Sequence, residues 1–459
     1  MITPAPIRTR LSRRPTAWDL LPKDERQVIL DLCSTVLSIR ASQSDWRAHR
    51  DSRPAPGLVQ LGLAKFTPAY LRREPLEWDD IHVLKDFLAC RTAYVDGYAL
   101  ECDYCKKASG VPASCRRRGC ARCGGLKREL WKALHVAELI NGAYYHMVFT
   151  LPRKLRKLAR WNPETVLDEF MKAAYKAVQS MGLEMIGAEV GGTVVLQTWG
   201  GGLAYVPHVH VFMPAGGIAL DTGKWIAWGK EEIPQERELG QCFRELFVES
   251  LEVAFRKKSP ILGRELAHLS APRQMEDFLE NVAATEGLVW YKRFEEGGEP
   301  IAEYLADHIN GRPLSDADIV EIDDKRVTLR ASSHRLGGVP PVRLGGAEFV
   351  KEYLSHRLPK GFVAVRSFGC LVSHKKAETI AAIKGRSVLQ TREDLRRQRK
   401  EIEKKTRMLL QERYGRVSSL CDDCGVGRLR LRRVEEMPRT DAVVLSVAHL
   451  SHRLRLDSS

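Results

Sequence analysis

The chain has 459 residues, of which 44% are hydrophobic and 29% charged. It is too long for a single core, so roughly two to four domains are expected, and its balance excludes a disordered chain. Lys and Arg outnumber Asp and Glu by 73 to 58, giving a net charge of +15 and a pI near 9.3. That excess favours a polyanionic partner such as nucleic acid, because neutralising phosphates releases condensed counterions. No run of about eighteen apolar residues occurs, so no membrane-spanning helix is expected. The basic N-terminus (MITPAPIRTRLSRRPTAW) lacks the apolar stretch of a secretion signal, so a cytoplasmic protein is expected.

In chain order, residues 1–60 form a basic extension that contains a helical stretch, KDERQVILDLCSTVLSIRAS, and ends at a Pro/Gly break between Arg53 and Gly57. A second helical stretch, WDDIHVLKDFLACRT, leads into a cysteine-rich region, and the spacing of Leu126, Leu130, Leu134 and Ile140 predicts a helix leaving it. AYYHMVFTLP at 143–152, rich in aromatic and β-branched residues and stopped by Pro152, reads as a strand. Residues 163–181 read as an amphipathic helix with Pro163 in its first turn. Two apolar strands follow, GGTVVLQTWG and HVHVFMP, separated by a glycine-rich turn. GLVWYKRF is a further strand, EPIAEYLADHIN at 299–310 a helix, and KRVTLRAS and GFVAVRSFG later strands. The segment from Arg386 to Arg416 is highly charged and helical in character.

Eleven cysteines in a cytosolic chain point to metal before disulfides. Cys102-x2-Cys105 and Cys120-x2-Cys123 are two knuckles fourteen residues apart, a spacing that predicts one four-cysteine zinc site stapling a small module. Cys90 and Cys115 are left over; they replace a ligand, join a second site, or pack as small hydrophobes. Cys421-x2-Cys424 has no second pair nearby in sequence. The module is basic, with Arg116, Arg117, Arg118, Arg122, Lys127 and Arg128 as candidate DNA-backbone contacts.

His208 and His210 are two apart on a predicted strand, so both imidazoles face one side while Val209 faces the other. Tyr304 and His308 are four apart on a predicted helix and share a face, beside an apolar stripe of Ile301, Leu305 and Ile309. Singly, each of these is as compatible with an ordinary surface or core residue. Together they fit one chemistry: a phenol that attacks a DNA phosphodiester, with a metal polarising the phosphate oxygens. No GxxxxGK[ST] phosphate loop is present.

From Cys90 through the knuckles to YYHMVFTLP, VVLQTWG, PHVHVFMPAGG, VWYKRF, YLADH and LPKGFVAVRSFG, the chain resembles the bacterial rolling-circle insertion-sequence transposases of the IS ninety-one group, over roughly residues 65–385. The resemblance implies an α+β protein with an antiparallel-sheet HUH (His–hydrophobic–His) nuclease domain and flanking helices. A small zinc-ribbon-like module precedes that domain and a charged helical tail follows it. The corresponding segments are 1–60, a zinc-binding and DNA-binding module at 61–142, the HUH domain at 143–385, and the tail with its CxxC pair at 386–459. It implies nicking of single-stranded DNA at element ends, a 5′-phosphotyrosine link on Tyr304, Mg²⁺ or Mn²⁺ on His208 and His210, and structural Zn²⁺. Two alternatives stand beside it: a non-catalytic DNA-binding regulator derived from such an enzyme, and a rolling-circle replication initiator, which shares the chemistry but usually not this zinc module.

The chain departs from the family at three places. His308 stands where the second tyrosine of a Tyr-x3-Tyr helix is expected, implying a single-tyrosine enzyme in which two-end reactions use a homodimer or sequential cleavages. His308 is then a third metal ligand or acid/base helper, with Gln197 as the rival ligand. Tyr98 and Gly119 stand near positions where the family has histidines, so a second zinc site involving Cys90 and Cys115 is expected to be altered or lost. Val206 replaces a further common histidine. Lys292 and Arg312 are candidate phosphate contacts.

Overall fold

The computed structural model describes residues 8–9, 17–41, 56–72, 74, 78–92, 97–112, 114–115, 117–123, 142–229, 236–285, 289–295, 301, 304–305, 311–330, 340–385, 387–413, 421 and 424–433. In chain order the elements used below begin with α1 (Lys23–Ala41), α2 (Leu58–Leu71), α3 (Trp78–Ala89), β1 (Gly97–Cys102), β2 (Ala108–Pro112) and β3 (Tyr144–Thr150). They continue with α4 (Pro163–Ile186), β4 (Ala188–Trp199), β5 (Tyr205–Pro214), β6 (Gly216–Ala219), β7 (Trp225–Ala227), α5 (Glu236–Lys257), α6 (Pro272–Ala283) and β8 (Val289–Phe294). The last are β9 (Ile319–Ile322), β10 (Arg326–Leu329), β11 (Val342–Gly345), α7 (Gly346–Ser355), β12 (Val365–Gly369), α8 (Lys376–Lys384), α9 (Val388–Arg413) and β13 (Leu429–Arg433). The helix expected from Leu126 onward lies outside the described residues.

Two compact units form, each from segments discontinuous in sequence. The first comprises Met1–Arg14, Arg128–Gly311 and Leu358–Lys400, the second Pro15–Lys127, Arg312–Arg357 and Glu401–Ser459. This differs from the consecutive segments 1–60, 61–142, 143–385 and 386–459. Residues 312–357 leave the expected 143–385 block because their hairpin and helix pack on α2, and the helices before residue 60 belong with those that follow it.

The first unit is built on a fully antiparallel sheet, in the order β8-β3-β5-β4-β6-β7, with β12 joined to β4. Alternation along its strands divides the side chains between two faces. Tyr145, Met147, Phe149, Val194, Leu196, Val209, Val211 and Met213 turn to one face and pack against α4 and α5 in the main core. On α4, Val166, Phe170, Ala173, Ala177 and Met181 recur at helical spacing and are buried there. Pro163 starts that helix without losing an internal hydrogen bond. Gly187, at φ +60°, ends it in the left-handed conformation and turns the chain into β4. The opposite face carries a smaller apolar cluster, Tyr144, Val195, Phe212, Ile301 and Leu305, beside the polar residues described below. Ile301, Tyr304 and Leu305 are helical, as the apolar stripe predicts; their neighbours at 302–303 and 306–310 are outside the described residues.

The second unit joins α1, α2, α3 and α7 with the hairpin sheet β9-β10-β11, and a further sheet in the order β13-β1-β2. Its organising polar residue is Gln60. The buried amide donates to the carbonyls of Phe87 (3.1 Å), Leu88 (2.7 Å) and Cys90 (3.1 Å), closing the end of α3 where the first cysteine follows. Arg357 pairs with Asp80 near the start of the same helix. Among the described residues, no helix is long and apolar enough to cross a membrane. Replacing Gln60 by Ala leaves those carbonyls buried without their donor and is expected to destabilise this unit by about 2–4 kcal/mol, read as a lowered urea midpoint for its unfolding.

Candidate active site and zinc centres

β5 is the central strand that presents the histidine pair. His208 stands opposite Gln197 of β4 and Thr150 of β3, and His210 opposite Val195 and Val148. The two imidazoles share the face away from α4 and α5, their centroids 4.8 Å apart and their planes at 71°. His210 and Gln197 are buried and His208 half-buried. Nδ1–H of His208 donates to the Val206 carbonyl at 2.8 Å, so Nε2 carries the lone pair suited to a cation. Val206 thus orients His208 through its backbone carbonyl. Among the described residues, no third His, Cys, Asp or Glu joins the pair in a metal-binding group. Gln197 lies directly across the sheet; His308 is outside the described residues.

The structure adds His146 of β3, which sequence reasoning missed. It is buried, with Nε2 2.8 Å from His210 Nδ1 and Nδ1 3.2 Å from the Tyr304 hydroxyl. Its ring stacks on Phe212, centroids 4.4 Å apart and planes within 5°, and meets Trp290 edge-on at 5.7 Å. Tyr304 is half-buried between Phe294, at 5.4 Å, and Phe212, at 6.0 Å. Burial raises its pKa above the ordinary value near 10. The site therefore links phenol to His146 to His210. A signal for His146 exists, since 144, 146, 148 and 150 alternate onto one face of YYHMVFT, but the register between β3 and β5 decides that this face meets His210.

Among the candidate DNA contacts, Lys292 of β8 is exposed, pairs in register with His146, and holds Nζ 5.0 Å from the Phe294 ring centroid. Arg312 belongs to the second unit and donates to the Ala121 carbonyl at 2.6 Å, bracing a cysteine knuckle. Arg117 pairs with Asp86, Arg118 is exposed, and Arg122 is half-buried. Arg116, Lys127 and Arg128 lie outside the described residues.

The cysteines are grouped differently from the expectation. Cys102 and Cys105 do not share a site with Cys120 and Cys123; Cys90, Cys115, Cys120 and Cys123 form one group, and Cys102, Cys105, Cys421 and Cys424 another. The cause is the sheet β13-β1-β2, which carries the Cys102 knuckle to the C-terminal knuckle, while α3 delivers Cys90 to the other. Cys90 and Cys115 are thus ligand candidates rather than leftovers, and the group that loses its expected partners is Cys102 and Cys105. Within each group all sulfurs lie within 4.8 Å of one another. The Cys115–Cys123 separation is 3.6 Å, close to the edge of about 3.8 Å expected for a tetrahedron with Zn–S bonds of about 2.3 Å. Tyr353 donates to the Gly119 carbonyl at 2.8 Å and holds the loop before Cys120. Hydrogen bonds with Cys115 and Cys120 hold Cys90 below the ordinary thiol value, while those from the neighbouring sulfurs push Cys115 far up. Four crowded thiols cannot all ionise alone, and a divalent cation removes that conflict.

Comparison with known proteins agrees with this architecture. The family model described as "Transposase zinc-binding domain" matches residues 63–151, and that described as "Putative transposase" matches residues 191–378. The chain is 30% identical over 346 residues to "Putative transposase y4qJ" of Sinorhizobium fredii, covering 74% of this chain and 85% of that one. It is 24% identical over 309 residues to "Transposase for insertion sequence element IS801" of Pseudomonas savastanoi pv. phaseolicola, covering 64% and 70%. No solved structure matches. The chain belongs to this insertion-sequence transposase family, the IS ninety-one group, and carries its structural zinc-binding module. The first match contains Cys90 through Cys123 and the second contains His208, His210 and Tyr304; Cys421 and Cys424 lie beyond both. Because thiolates bind zinc only when deprotonated, zinc is expected to stay bound at pH 7.5 and to be released on acidification toward pH 5, measured with a chromogenic chelator.

Proposed function

We propose that this transposase nicks and rejoins single-stranded DNA at the ends of its element, with Tyr304 as nucleophile. The observation that carries the reading is the run of contacts from the Tyr304 hydroxyl through His146 to His210, on the face that also presents His208. The Tyr304 oxygen attacks the scissile phosphorus, the P–O3′ bond breaks, and the departing 3′ oxygen takes a proton to become a hydroxyl. A 5′-phosphotyrosine link remains, and attack by a 3′ hydroxyl reverses the step and frees the phenol. The bond energy is retained throughout, so no nucleotide cofactor is required.

His208 and His210 would hold Mg²⁺ or Mn²⁺, with Gln197 or His308 as the third ligand. A bound ion would supply charge stabilisation at the phosphate oxygens and orientation of the scissile group. If Nε2 of His210 ligates, its Nδ1 keeps the proton and donates to His146 Nε2. His146 must then carry its own proton on Nδ1 and donate it to the Tyr304 oxygen. That polarity favours the phenolate, which burial alone disfavours. Lys292 would contact a phosphate, while Arg116, Arg117, Arg118, Arg122, Lys127 and Arg128, in and just after the cysteine-rich segment, would add backbone contacts. With one nucleophilic tyrosine per chain, two-end reactions would use a homodimer or sequential cleavages. The work would take place on DNA in the bacterial cytoplasm, at the nucleoid.

With Mn²⁺ and single-stranded DNA from the element ends, a covalent protein–DNA adduct is expected. Tyr304→Phe is expected to abolish it; an adduct that survives this change sinks the assignment. His146→Ala is expected to slow adduct formation about ten- to hundredfold, the value of one hydrogen bond to a developing phenolate, ~1.5–3 kcal/mol. Because burial raises the Tyr304 pKa, the phenolate is the minor form near neutrality, and the adduct rate is expected to climb between pH 7 and pH 9. Gln197→Ala and His308→Ala separate the two ligand candidates: the true third ligand, once removed, weakens Mn²⁺ binding as much as His210→Ala does.

A further inference from the structure

We propose that Cys102, Cys105, Cys421 and Cys424 bind a second zinc ion, which fastens the C-terminal segment to the β1–β2 hairpin. The four sulfurs lie within 4.8 Å of one another. Cys102 and Cys424 are 3.7 Å apart, as are Cys105 and Cys421, although 322 and 316 residues separate them in the chain. Both distances match the tetrahedral edge of about 3.8 Å set by Zn–S bonds of about 2.3 Å.

The two CxxC pairs are built alike. In each, one sulfur accepts a backbone N–H from three residues on, the first cysteine in one pair and the second in the other: Cys105 N–H donates to Cys102 Sγ and Gly427 N–H to Cys424 Sγ, both at 3.4 Å. In each, the residue after the second cysteine adopts the left-handed conformation, Lys106 at φ +60° and Gly425 at φ +65°. That repeated geometry directs two sulfurs per knuckle at one point and supplies N–H dipoles to thiolates. The site is also cradled. A Cβ on Gly427 would collide with Cys102 Sγ and the Tyr104 backbone, so a side chain there is excluded.

Around the sulfurs the two segments interlock. Asp103 N–H donates to the Arg428 carbonyl at 3.0 Å, and Arg428 N–H returns to the Asp103 carboxylate at 2.7 Å. β13 then runs antiparallel to β1, with Leu429 opposite Cys102 and Arg433 opposite Tyr98. Among the described residues, β13 is an edge strand with β1 as its one neighbour in the sheet. Closing so long a loop for one short strand is entropically costly, and a four-thiolate ion is the interaction strong enough to offset it. The C-terminal knuckle thereby completes a site whose other half lies in the zinc-binding module.

The test uses the full chain purified with zinc. Native mass spectrometry is expected to find two zinc ions per chain, and Cys421→Ser/Cys424→Ser to leave one. Alkylation of the zinc-loaded wild type, mapped by peptide, needs no variant: Cys421 and Cys424 are expected to be protected and to become reactive together with Cys102 and Cys105 on chelation. Hydrogen exchange at 97–102 and 429–433 is expected to rise together at the same step. One zinc per wild-type chain, two zincs in the double variant, or ready alkylation of Cys421 and Cys424 while Cys102 and Cys105 stay protected overturns the proposal. None of these readouts depends on the chemistry at Tyr304.

Discussion

The pairing of β5 between β3 and β4 is the constraint on which the proposed catalytic face depends. Val209, Val211 and Met213 are fully buried against the helices, and the two-residue period of a strand then forces His208, His210 and Phe212 to the other side. A slip of one residue would drive two imidazoles into the main core and expose three apolar side chains, so the register is strongly defended. Because β3 is locked to β5 in that register, His146 arrives beside His210 without any loop having to place it. The groups proposed to meet a reacting phosphate are thus mounted on sheet and helix, where packing rather than chance sets their spacing.

The second unit solves a different problem. Its helical part has a core of its own, but the cysteine-bearing strands are short, and bound metal would supply there what burial cannot. Gln60, Tyr353 and Arg312 each bind a carbonyl in or beside the Cys90–Cys123 segment, so the helical layer and the knuckles are joined by directed hydrogen bonds rather than by apolar contact alone.

Much of this was legible in the residues themselves. The strands at 143–152, 191–200 and 208–214 and the helix from Pro163 carried strong periodic signals, and the structure places elements there. His-x-His on a strand also predicts a shared face, and the two rings do share it. What sequence could not carry was pairing between distant segments. The proximity rule that joined Cys102-x2-Cys105 to Cys120-x2-Cys123 failed because the nearest knuckle in sequence is not the nearest in space; β13 brings Cys421 and Cys424 from more than 300 residues away. His146 was hidden for the same reason, since a lone histidine in a strand announces nothing until its cross-strand partner is known. Residues 312–357 looked like a continuation of the sheet domain and instead complete the other unit.

The claim that joins these features is that Tyr304 is the atom-level link between protein and DNA. Its most direct measurement is to trap the protein with Mn²⁺ on single-stranded DNA carrying an element end, digest both components, and locate the nucleotide-bearing peptide by mass spectrometry. The account predicts a 5′-phosphoryl link on the peptide that contains Tyr304, with a free 3′ hydroxyl on the released strand. A link on any other residue, or cleavage that leaves no covalent intermediate, would contradict it.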